Sequence, residues 1–323
     1  MTARHLISLD DLTDDDLRWI TARGASYSAG LVPPTGPLEG EVVGVYFRRT
    51  STRTRTAFSS GALRLGARII AFGPDDLQLN TGETTEDTGQ VFSRMLDVLV
   101  ARTSGDPAEL RGWAGQHRMS VVNAMSADEH PTQALTDLTT LLRQFGRIDG
   151  LRVLYVGEGN NTAAALALAL SRFPGTVLEL RTPPGYGLTP EVRERVARSA
   201  ARSGAEVTEL HHMDGLRGGF DAVYTSRWQT TGTSKPDPGW RAAFAPFTVT
   251  PELWRHSPDA VFMHDLPAHR GEEVAAEVLD GPRSIAFDQA ANKMYSAMAV
   301  LEWCRSGTAG TAARNRTGEA VAQ

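Results

Sequence analysis

The 323-residue chain has one cysteine, Cys304, and therefore cannot form an internal disulfide. It has eight histidines, and none of them lies in a Cys/His pattern of the metal-site kind. The adjacent pair His211 and His212 is interpreted as part of a solvated loop. The sequence thus predicts neither a disulfide framework nor a metal centre.

Long apolar runs and an excess of positive charge are also missing. No run is long enough to cross a bilayer, and the segment Met1-Thr2-Ala3-Arg4-His5-Leu6 has no apolar signal core, so we expect a cytoplasmic protein without a membrane partner. A formal net charge of −5 argues against a general nucleic-acid binder. The composition, 41% hydrophobic and 22% charged, is typical of a globular protein with a real core. Positive charge must then be local, which suits a small anionic ligand.

One stretch concentrates that charge, Phe47-Arg48-Arg49-Thr50-Ser51-Thr52-Arg53-Thr54-Arg55-Thr56. It follows an apolar run and precedes a helical pattern, which indicates a strand, a tight turn and a helix start. The first amides of a helix lack partners inside the helix and carry partial positive charge, and hydroxyl and guanidinium groups add donors. The stretch predicts a phosphate site. Taken alone, a solvated helix start with a serine cap is the simpler alternative.

Strands and helices alternate along the chain, a pattern typical of parallel sheets with crossover helices. The length fits two α/β domains. Strands are predicted at 42–47, 68–72, 98–101, 120–123, 151–156, 176–181, 206–210, 221–225 and 260–264. We predict two doubly wound parallel-sheet domains, 1–147 and 148–287, a helix at 288–305 that joins the first domain, and a disordered tail at 306–323.

Further polar residues follow predicted strands, where ligands of open parallel sheets bind. Arg102 follows the third strand, and His130 stands before the helix that begins at Pro131. The turn Gly157-Glu158-Gly159 lacks the third glycine of a dinucleotide site and is interpreted as a substrate turn. Asp265 ends another buried strand. Considered alone, His130 is a turn histidine and Asp265 is a cap or turn former.

Together these segments resemble the aspartate/ornithine carbamoyltransferase family. They occur in the family's order and with family-like spacing, and they cover nearly the whole chain. The matching segments are Ser51-Thr52-Arg53-Thr54-Arg55, Gly82 to Thr88, Arg102, His130-Pro131-Thr132-Gln133, Gly157 to Asn161, His264-Asp265-Leu266-Pro267 and Phe287 to Met294. The resemblance implies an enzyme that moves the carbamoyl group of carbamoyl phosphate to a primary amine. It also implies one domain for each substrate, a homotrimer with shared active sites, and no metal or organic cofactor.

The resemblance assigns roles residue by residue. Carbamoyl phosphate would be bound by Ser51, Thr52, Arg53, Thr54, Gln78, Arg102, His130, Gln133, Leu266 and Lys293. Arg53, Arg102 and His130 would be catalytic, because fixed donors stabilise the negative charge that grows on the carbonyl oxygen. Gln133 and the Leu266 carbonyl would hold the carbamoyl nitrogen. Gln78 would reach a neighbouring subunit's site, and Lys293 stands where the family commonly has arginine.

The acceptor side departs from the ornithine branch. Asp265 stands where that branch usually has cysteine, and the segment Thr225 to Gly232 lacks the usual aspartate before its tryptophan and the Ser-Met-Gly after it. Arg227 and Gln229 resemble the aspartate branch, but Thr81 replaces that branch's lysine, and Asp265 would repel dianionic aspartate. The residues assigned to the acceptor are Asn161, Ser226, Arg227, Gln229, Thr230, Thr231 and Asp265.

From these departures we predict a short amino acid or amino-acid derivative as acceptor, for example a 2,3-diaminopropionate-like or specialised-metabolite amine that becomes a ureido group. Arg227 would bind its carboxylate or carbonyl, and a catalytic Asp265 would bind the amine or help to remove its proton. Two alternatives stay open. One is ordinary ornithine carbamoylation to citrulline, and the other is a non-catalytic paralogue that acts as a binding protein.

Overall fold

The structure, a computed structural model, describes residues 3–230 and 233–306. These residues divide into two compact units, the first formed by residues 3–124 and 294–306 and the second by residues 125–293. The predicted boundary at residue 147 lies later, and the predicted helix 288–305 joins the first domain as a whole, so the two divisions differ over the helix Pro131–Phe145 and over residues 288–293. Of the predicted tail, Ser306 is described and ends the last helix, and 307–323 lies outside the described residues.

The first unit is built on a parallel sheet. Apart from residues 294–306 of the last helix, its described α-helices and strands in chain order are α1 (Asp14–Ser28), β1 (Val42–Phe47), α2 (Thr52–Arg64), β2 (Arg68–Phe72), α3 (Thr85–Phe92), β3 (Val98–Arg102), α4 (Pro107–Ala114) and β4 (Ser120–Asn123). The strands run in the order β2-β1-β3-β4, and every described pair is parallel. The alternating pattern in the sequence is thus confirmed here, with β3 ending one residue later than predicted, at Arg102.

The strand order of this first sheet reverses between β1 and β3. Ligands of open parallel sheets bind at the carboxyl ends of the strands, at such a reversal point. Phe47 and Arg102, the last residues of β1 and β3, are paired in register. The segments that follow these two strands therefore begin at the edge of the sheet where a ligand is expected.

By residue type, Ser8 and Asp10 are both candidate caps for the first helix, α1. Ser8 caps a separate 3-10 turn, Leu9–Asp11. The cap of α1 is Thr13, whose hydroxyl oxygen accepts a hydrogen bond from the Asp16 amide at 3.1 Å. Two helix starts follow each other closely, and both have acidic residues in the first turn, so complementing the helix dipole does not distinguish them.

The second unit holds a larger parallel sheet. Its described elements are α5 (Pro131–Phe145), β5 (Arg152–Val156), α6 (Asn161–Leu170), β6 (Val177–Arg181), α7 (Pro190–Ser203), β7 (Glu206–Leu210), β8 (Ala222–Thr225), α8 (Trp240–Phe244), β9 (Val261–His264), α9 (Ala276–Leu279) and the part up to Lys293 of α10 (Ala286–Ser306). The strands run in the order β7-β6-β5-β8-β9. This sheet reverses between β5 and β8, where Val156 is paired with Thr225.

Each unit has its own apolar core. In the first, Tyr46 and Trp113 pack edge to face with ring centroids 5.6 Å apart among buried aliphatic side chains. In the second, Leu154, Val223 and Phe262 come from three neighbouring strands and lie in one buried cluster. Because the strands are held in these cores, the positions at which they end are fixed. The turns that follow the strands lie outside the cores and carry the polar groups.

Helix α6 shows how tightly the second unit is packed. All of its residues are buried, and its Ala/Leu composition suits a helix that contacts neighbours on every side. The Asn160 side chain caps it, since Oδ1 accepts from the amides of Thr162 and Ala163 at 3.0 and 3.1 Å. Throughout residues 3–230 and 233–306, every helix is too short or too polar to cross a membrane.

Candidate active site

The predicted phosphate segment forms the turn after β1 and the start of α2. Ser51 is the N-cap residue with extended backbone angles, φ −157° and ψ 104°, and its side chain makes no capping hydrogen bond within the described residues. Thr54 is buried, Arg53 is half-buried and Thr52 is exposed. A helix start whose cap hydroxyl is not used locally can offer that hydroxyl, along with the partial charge of the first turn, to an anion.

Arg102 lies on the neighbouring strand. Its carbonyl oxygen accepts a hydrogen bond from the Arg48 amide at 3.0 Å, so the backbone pairing of β1 and β3 continues one residue into the turn. The Arg102 side chain belongs to a residue that is only 8% exposed. The structure thus brings Arg102 and the Ser51 turn to the same edge of the first sheet, as the sequence predicted.

The arginines around this turn differ in their surroundings. Arg48 forms an ion pair with Glu109, in which Nη1 donates to Oε2 at 3.0 Å, and its Nε donates to the Tyr46 hydroxyl at 3.1 Å. Arg55 is exposed. Arg48 therefore serves the packing of α4 against β1, whereas the half-buried Arg53 stays the arginine of this turn that is predicted to bind phosphate.

Gln78 begins a 3-10 turn, Gln78–Thr81, and is exposed. The Thr81 hydroxyl donates to the Gln78 carbonyl and lies within hydrogen-bond distance of its Oε1, both at 2.8 Å. An exposed position on a surface turn is compatible with the predicted reach into a neighbouring subunit. That reach stays a prediction.

In the second unit, His130 is the N-cap residue of α5, and Pro131 takes the first helical position as predicted. The His130 amide donates to the Asn161 carbonyl at 3.2 Å. The Asn161 side chain in turn donates to the Ser126 carbonyl at 2.8 Å. Two predicted site residues, one at the start of α5 and one at the start of α6, are therefore neighbours.

Gln133 belongs to a buried hydrogen-bond network whose centre, Asp137, the sequence reasoning missed. Gln133 Nε2 and Gln289 Nε2 both donate to Asp137 Oδ1 at 2.7 Å. The Tyr224 hydroxyl donates to Asp137 Oδ2 at 3.1 Å. Lys293 Nζ donates to Gln133 Oε1 at 2.5 Å. The structure thus brings the predicted Gln133 and Lys293 together beside a carboxylate.

Asp137 is fully buried. Burial raises the pKa of its carboxyl group to about 7, although the hydrogen bonds from Gln133 and Gln289 oppose the rise. A sequence signal for this residue does exist, because a carboxylate on the apolar face of a helix is rarely buried unless it has partners. Its position one turn after Gln133 places both side chains on the same face.

Ser226 follows β8 at the reversal point of the second sheet. Its hydroxyl lies 2.6 Å from the Tyr155 hydroxyl and accepts a hydrogen bond from Asn160 Nδ2 at 3.1 Å. Because Tyr155 donates its own proton to the Glu158 carbonyl at 2.8 Å, Ser226 is the donor in the first of these bonds. The position at which the ornithine branch usually has aspartate therefore carries a neutral hydroxyl with protein partners.

Asp265 follows β9, and its Oδ2 accepts a hydrogen bond from the Thr162 hydroxyl at 3.1 Å. Thr162 lies in the first turn of α6, next to Asn161. The structure thus brings Asp265 to the helix start that also carries Asn161. Both were predicted to contact the acceptor.

Leu266 has a left-handed backbone, with φ 53°, and a cis peptide bond joins it to Pro267. Its amide donates to His264 Nδ1 at 2.8 Å, so the imidazole proton lies on Nε2, which is 3.2 Å from Glu273 Oε1. A positive φ is costly for leucine and persists only where the surroundings enforce it. Here His264 and Glu273 hold the turn, which directs the Leu266 carbonyl that was predicted to bind the carbamoyl nitrogen.

The loop after Ser226 carries the remaining predicted acceptor residues, of which Thr231 lies outside the described residues. Gln229 Nε2 donates to the Thr233 carbonyl at 2.6 Å. Arg227 Nε and Thr230 Oγ1 are buried atoms that have no hydrogen-bond partner in the described part of the chain. Buried polar atoms of this kind commonly indicate a place for water or a ligand.

Comparison with known proteins gives two family matches that together span both units. Residues 4–143 match the carbamoyl-P binding domain of the aspartate/ornithine carbamoyltransferase family, and residues 149–304 match the Asp/Orn binding domain of the same family. Both matches were expected from the motifs.

Individual relatives agree with these matches. An ornithine carbamoyltransferase of Thermococcus kodakarensis is 37% identical over 310 residues, which is 95% of this chain and 98% of that protein. One of Symbiobacterium thermophilum is 39% identical over 308 residues, 93% of this chain and 97% of that protein. The solved structure of ornithine carbamoyltransferase from Pyrococcus furiosus superposes with a TM-score of 0.88 at 35% identity, covering 95% of this chain and 98% of that one.

Proposed function

Because the chain belongs to the aspartate/ornithine carbamoyltransferase family, and to its ornithine branch, we propose that it transfers the carbamoyl group of carbamoyl phosphate to the side-chain amine of ornithine or a close analogue. The products are a ureido amino acid and phosphate. The observation that carries the proposal is the placement of Arg102 and the Ser51 turn at the reversal point of the first sheet.

The first unit supplies the groups for the phosphate. Ser51, Thr52, Arg53 and Thr54 bind the phosphoryl oxygens at the start of α2, and Arg102 binds both a phosphoryl oxygen and the carbonyl oxygen. When the amine nitrogen attacks the carbonyl carbon, the bond from that carbon to the phosphate oxygen breaks and phosphate leaves. Donors fixed at these positions stabilise the developing charge more than they stabilise the ground state.

The second unit supplies the groups for the carbamoyl end. His130 donates to the carbonyl oxygen, and Gln133 Oε1 and the Leu266 carbonyl accept from the carbamoyl nitrogen. Lys293 supports this arrangement through its bond to Gln133 Oε1. The chemistry needs an uncharged amine, whose extra proton passes to a base as the new carbon–nitrogen bond forms.

The comparisons favour ordinary ornithine carbamoylation, the alternative of the sequence hypothesis, over a specialised-metabolite acceptor. The relatives that cover nearly the whole chain are named ornithine carbamoyltransferase. Nothing in these names points to a short diamine or a peptide-borne amine. Ornithine is therefore the first acceptor to test.

A second candidate acceptor, a shorter diamine such as 2,3-diaminopropionate, has one specific observation in its favour. Ser226 is neutral and already hydrogen-bonded to Tyr155 and Asn160, so it offers no charge for an α-ammonium group. An anionic group near α6 is instead supplied by Asp265, whose carboxylate accepts from Thr162. An acceptor whose two amino groups are close together could place one of them at Asp265. Its other amino group would then not require a negatively charged side chain at position 226.

The test is carbamoyl-phosphate-dependent ureido formation with ornithine, lysine, putrescine, aspartate and 2,3-diaminopropionate, using Arg53→Ala as the blank. Turnover of ornithine that is lost in the blank supports the first proposal. Preference for 2,3-diaminopropionate supports the second. Carbamoyl-phosphate binding without turnover of any amine would contradict both and support the non-catalytic alternative.

The homotrimer with shared sites is part of the same proposal. If Gln78 completes a neighbouring subunit's site, Gln78→Ala and Arg53→Ala homo-oligomers are both impaired, since each lacks one element of every site. Mixed oligomers then contain some sites in which both residues are intact. Recovery of activity after mixing and reassembly supports shared sites, and no recovery would contradict them.

A further inference from the structure

Asp137 holds two amide side chains in one orientation. Gln133 Nε2 and Gln289 Nε2 both point at its Oδ1, each at 2.7 Å. Because an oxygen without a proton can only accept, the carbonyl oxygens of both amides must face away from Asp137. Gln133 Oε1 faces Lys293 Nζ, and Gln289 Oε1 accepts from the His264 amide at 2.9 Å.

The carboxyl group thereby links four separate elements of the second unit. Gln133 lies on α5, Gln289 on α10 and Tyr224 on β8, and through Gln289 the network reaches His264 at the end of β9. Predicted site residues lie next to three of these elements. His130 precedes α5, the Ser226 loop follows β8, and the Asp265-Leu266 turn follows β9.

We propose that Asp137 is a positioning residue that keeps Gln133 Oε1 directed at the carbamoyl nitrogen. Without it, Lys293 alone favours this orientation of the Gln133 amide, and a fraction of the molecules can rotate the amide by half a turn and present its NH2 group to the NH2 group of the substrate. Two donors then face each other and the contact is lost. This inference rests on the proposed function, because it assigns the substrate group that Gln133 meets.

The inference makes opposite predictions for two substitutions. In Asp137→Asn, Oδ1 can accept from both glutamines as before, and Nδ2 can donate to the Tyr224 hydroxyl oxygen in place of the bond that Oδ2 accepted. In Asp137→Leu, Gln289 Nε2 loses the acceptor it has in the wild type, and Gln133 Nε2 keeps only a long contact to the Tyr224 hydroxyl oxygen at 3.5 Å. The asparagine variant therefore keeps the orientation of Gln133, and the leucine variant does not.

We would measure kcat and KM for carbamoyl phosphate and for the acceptor, with Thr139→Val as the matched control. Thr139 is equally buried on the same helix, but among the residues that the structure describes its hydroxyl donates to the Leu135 carbonyl alone, at 2.8 Å. We expect Asp137→Leu to lower kcat/KM for carbamoyl phosphate about 10²-fold, a typical cost of a misplaced contact, with KM for the acceptor within about twofold. Asp137→Asn should recover most of this loss.

Two results would overturn the inference. One is a folded Asp137→Leu variant with kcat/KM equal to that of Thr139→Val, and the other is an Asp137→Asn variant as impaired as Asp137→Leu. Calorimetric binding of carbamoyl phosphate provides a readout that needs no turnover. If the leucine variant folds poorly, the dissociation constants of the asparagine variant and the wild type can still be compared directly. If wild type binds carbamoyl phosphate but transfers nothing, the proposed function fails, while the binding series still tests Asp137.

Discussion

Lys235 forms an ion pair with Glu158, and its ammonium group lies among aromatic rings. Its Nζ is 4.9 Å from the ring centroid of Tyr186, 5.0 Å from that of Phe244 and 5.4 Å from that of Trp240. Only 5% of the Lys235 side chain is exposed. Lys235 therefore fastens the loop between β8 and α8, which carries the predicted acceptor residues, to the turn after β5.

We predict that Lys235→Met raises KM for the acceptor about tenfold and leaves KM for carbamoyl phosphate unchanged. The variant loses the ion pair and the cation–π contacts, which can together contribute about 2 kcal/mol or more when desolvated. It also leaves Glu158 buried without its cation, and burial already raises the pKa of that carboxyl. Steady-state kinetics with each substrate varied in turn would measure this effect.

The control is the double variant Lys235→Met/Glu158→Gln. Removing one partner of a buried pair is costly because a lone charge is left behind, so thermal stability should fall in Lys235→Met and recover in the double variant. Acceptor binding should stay weak in both, since neither has the contact that fastens the loop. Equal KM values for the acceptor in wild type and double variant would contradict this role.

We expect the Asp265 carboxylate to bind the acceptor amine or to help remove its proton. Asp265→Asn keeps the hydrogen bond from Thr162, because Oδ1 of asparagine can accept it, but removes the base and the negative charge. We predict a loss of kcat/KM for the acceptor of about 10² or more, the usual contribution of a general base. Thr162→Val, which removes only the supporting hydroxyl, should cost less, and an Asp265→Asn enzyme with wild-type kcat would contradict the catalytic role.

Stability should depend on pH through Asp137. Its pKa is raised to about 7 in the folded protein, mainly by burial, whereas an unburied aspartate has a value near 3.8. Between these values the folded state binds the proton more strongly than the unfolded state, so this group stabilises the fold fully at low pH. That contribution to the free energy of unfolding decreases as pH rises from about 3.8 to about 7, and above pH 7 it no longer changes with pH.

The groups around Asp137 do not reverse this sign. Lys293 lowers the pKa and Asp265 raises it, and both effects are smaller than that of burial. Urea unfolding of wild type and Asp137→Asn at pH 5 and pH 8 provides the test. We expect the free energy of unfolding of the asparagine variant to rise relative to that of wild type when the pH is raised from 5 to 8. A difference between the two proteins that is the same at both pH values would contradict the raised pKa.

The sheet strands could be predicted because buried parallel strands are short apolar runs bounded by turn residues, as at Val42–Phe47. The strand ends in turn predicted where Arg102 and Asp265 would lie. Asp137 could not be found this way. Its role depends on Gln289, which is 152 residues away in sequence, and no local pattern shows that one distant helix and one strand direct donors at this carboxylate.

The cap of α1 shows the same limit on a smaller scale. Ser8 and Thr13 are both good N-cap residues, and each caps a helical turn. Which of the two begins the long helix is decided by packing, because Leu17 and Ile20 of α1 are buried. Local propensity gives candidates for a boundary, and burial selects among them.

The last prediction concerns Lys293, which stands where the family commonly has arginine. Its Nζ donates to Gln133 Oε1 and the residue is only 5% exposed. An arginine can donate to Gln133 Oε1 with one N–H of its planar fork and to a carbonyl or phosphoryl oxygen with another, whereas the lysine ammonium is a compact point charge. We therefore expect Lys293→Arg to lower KM for carbamoyl phosphate about threefold to tenfold, the size of one added charge-assisted hydrogen bond of about 1 kcal/mol. Lys293→Met is the matched loss of charge and should raise the same constant, because Gln133 Oε1 then loses its donor. If Lys293→Arg folds with unchanged thermal stability and its KM is equal to or above that of wild type, the lysine is adapted to this site and does not weaken it.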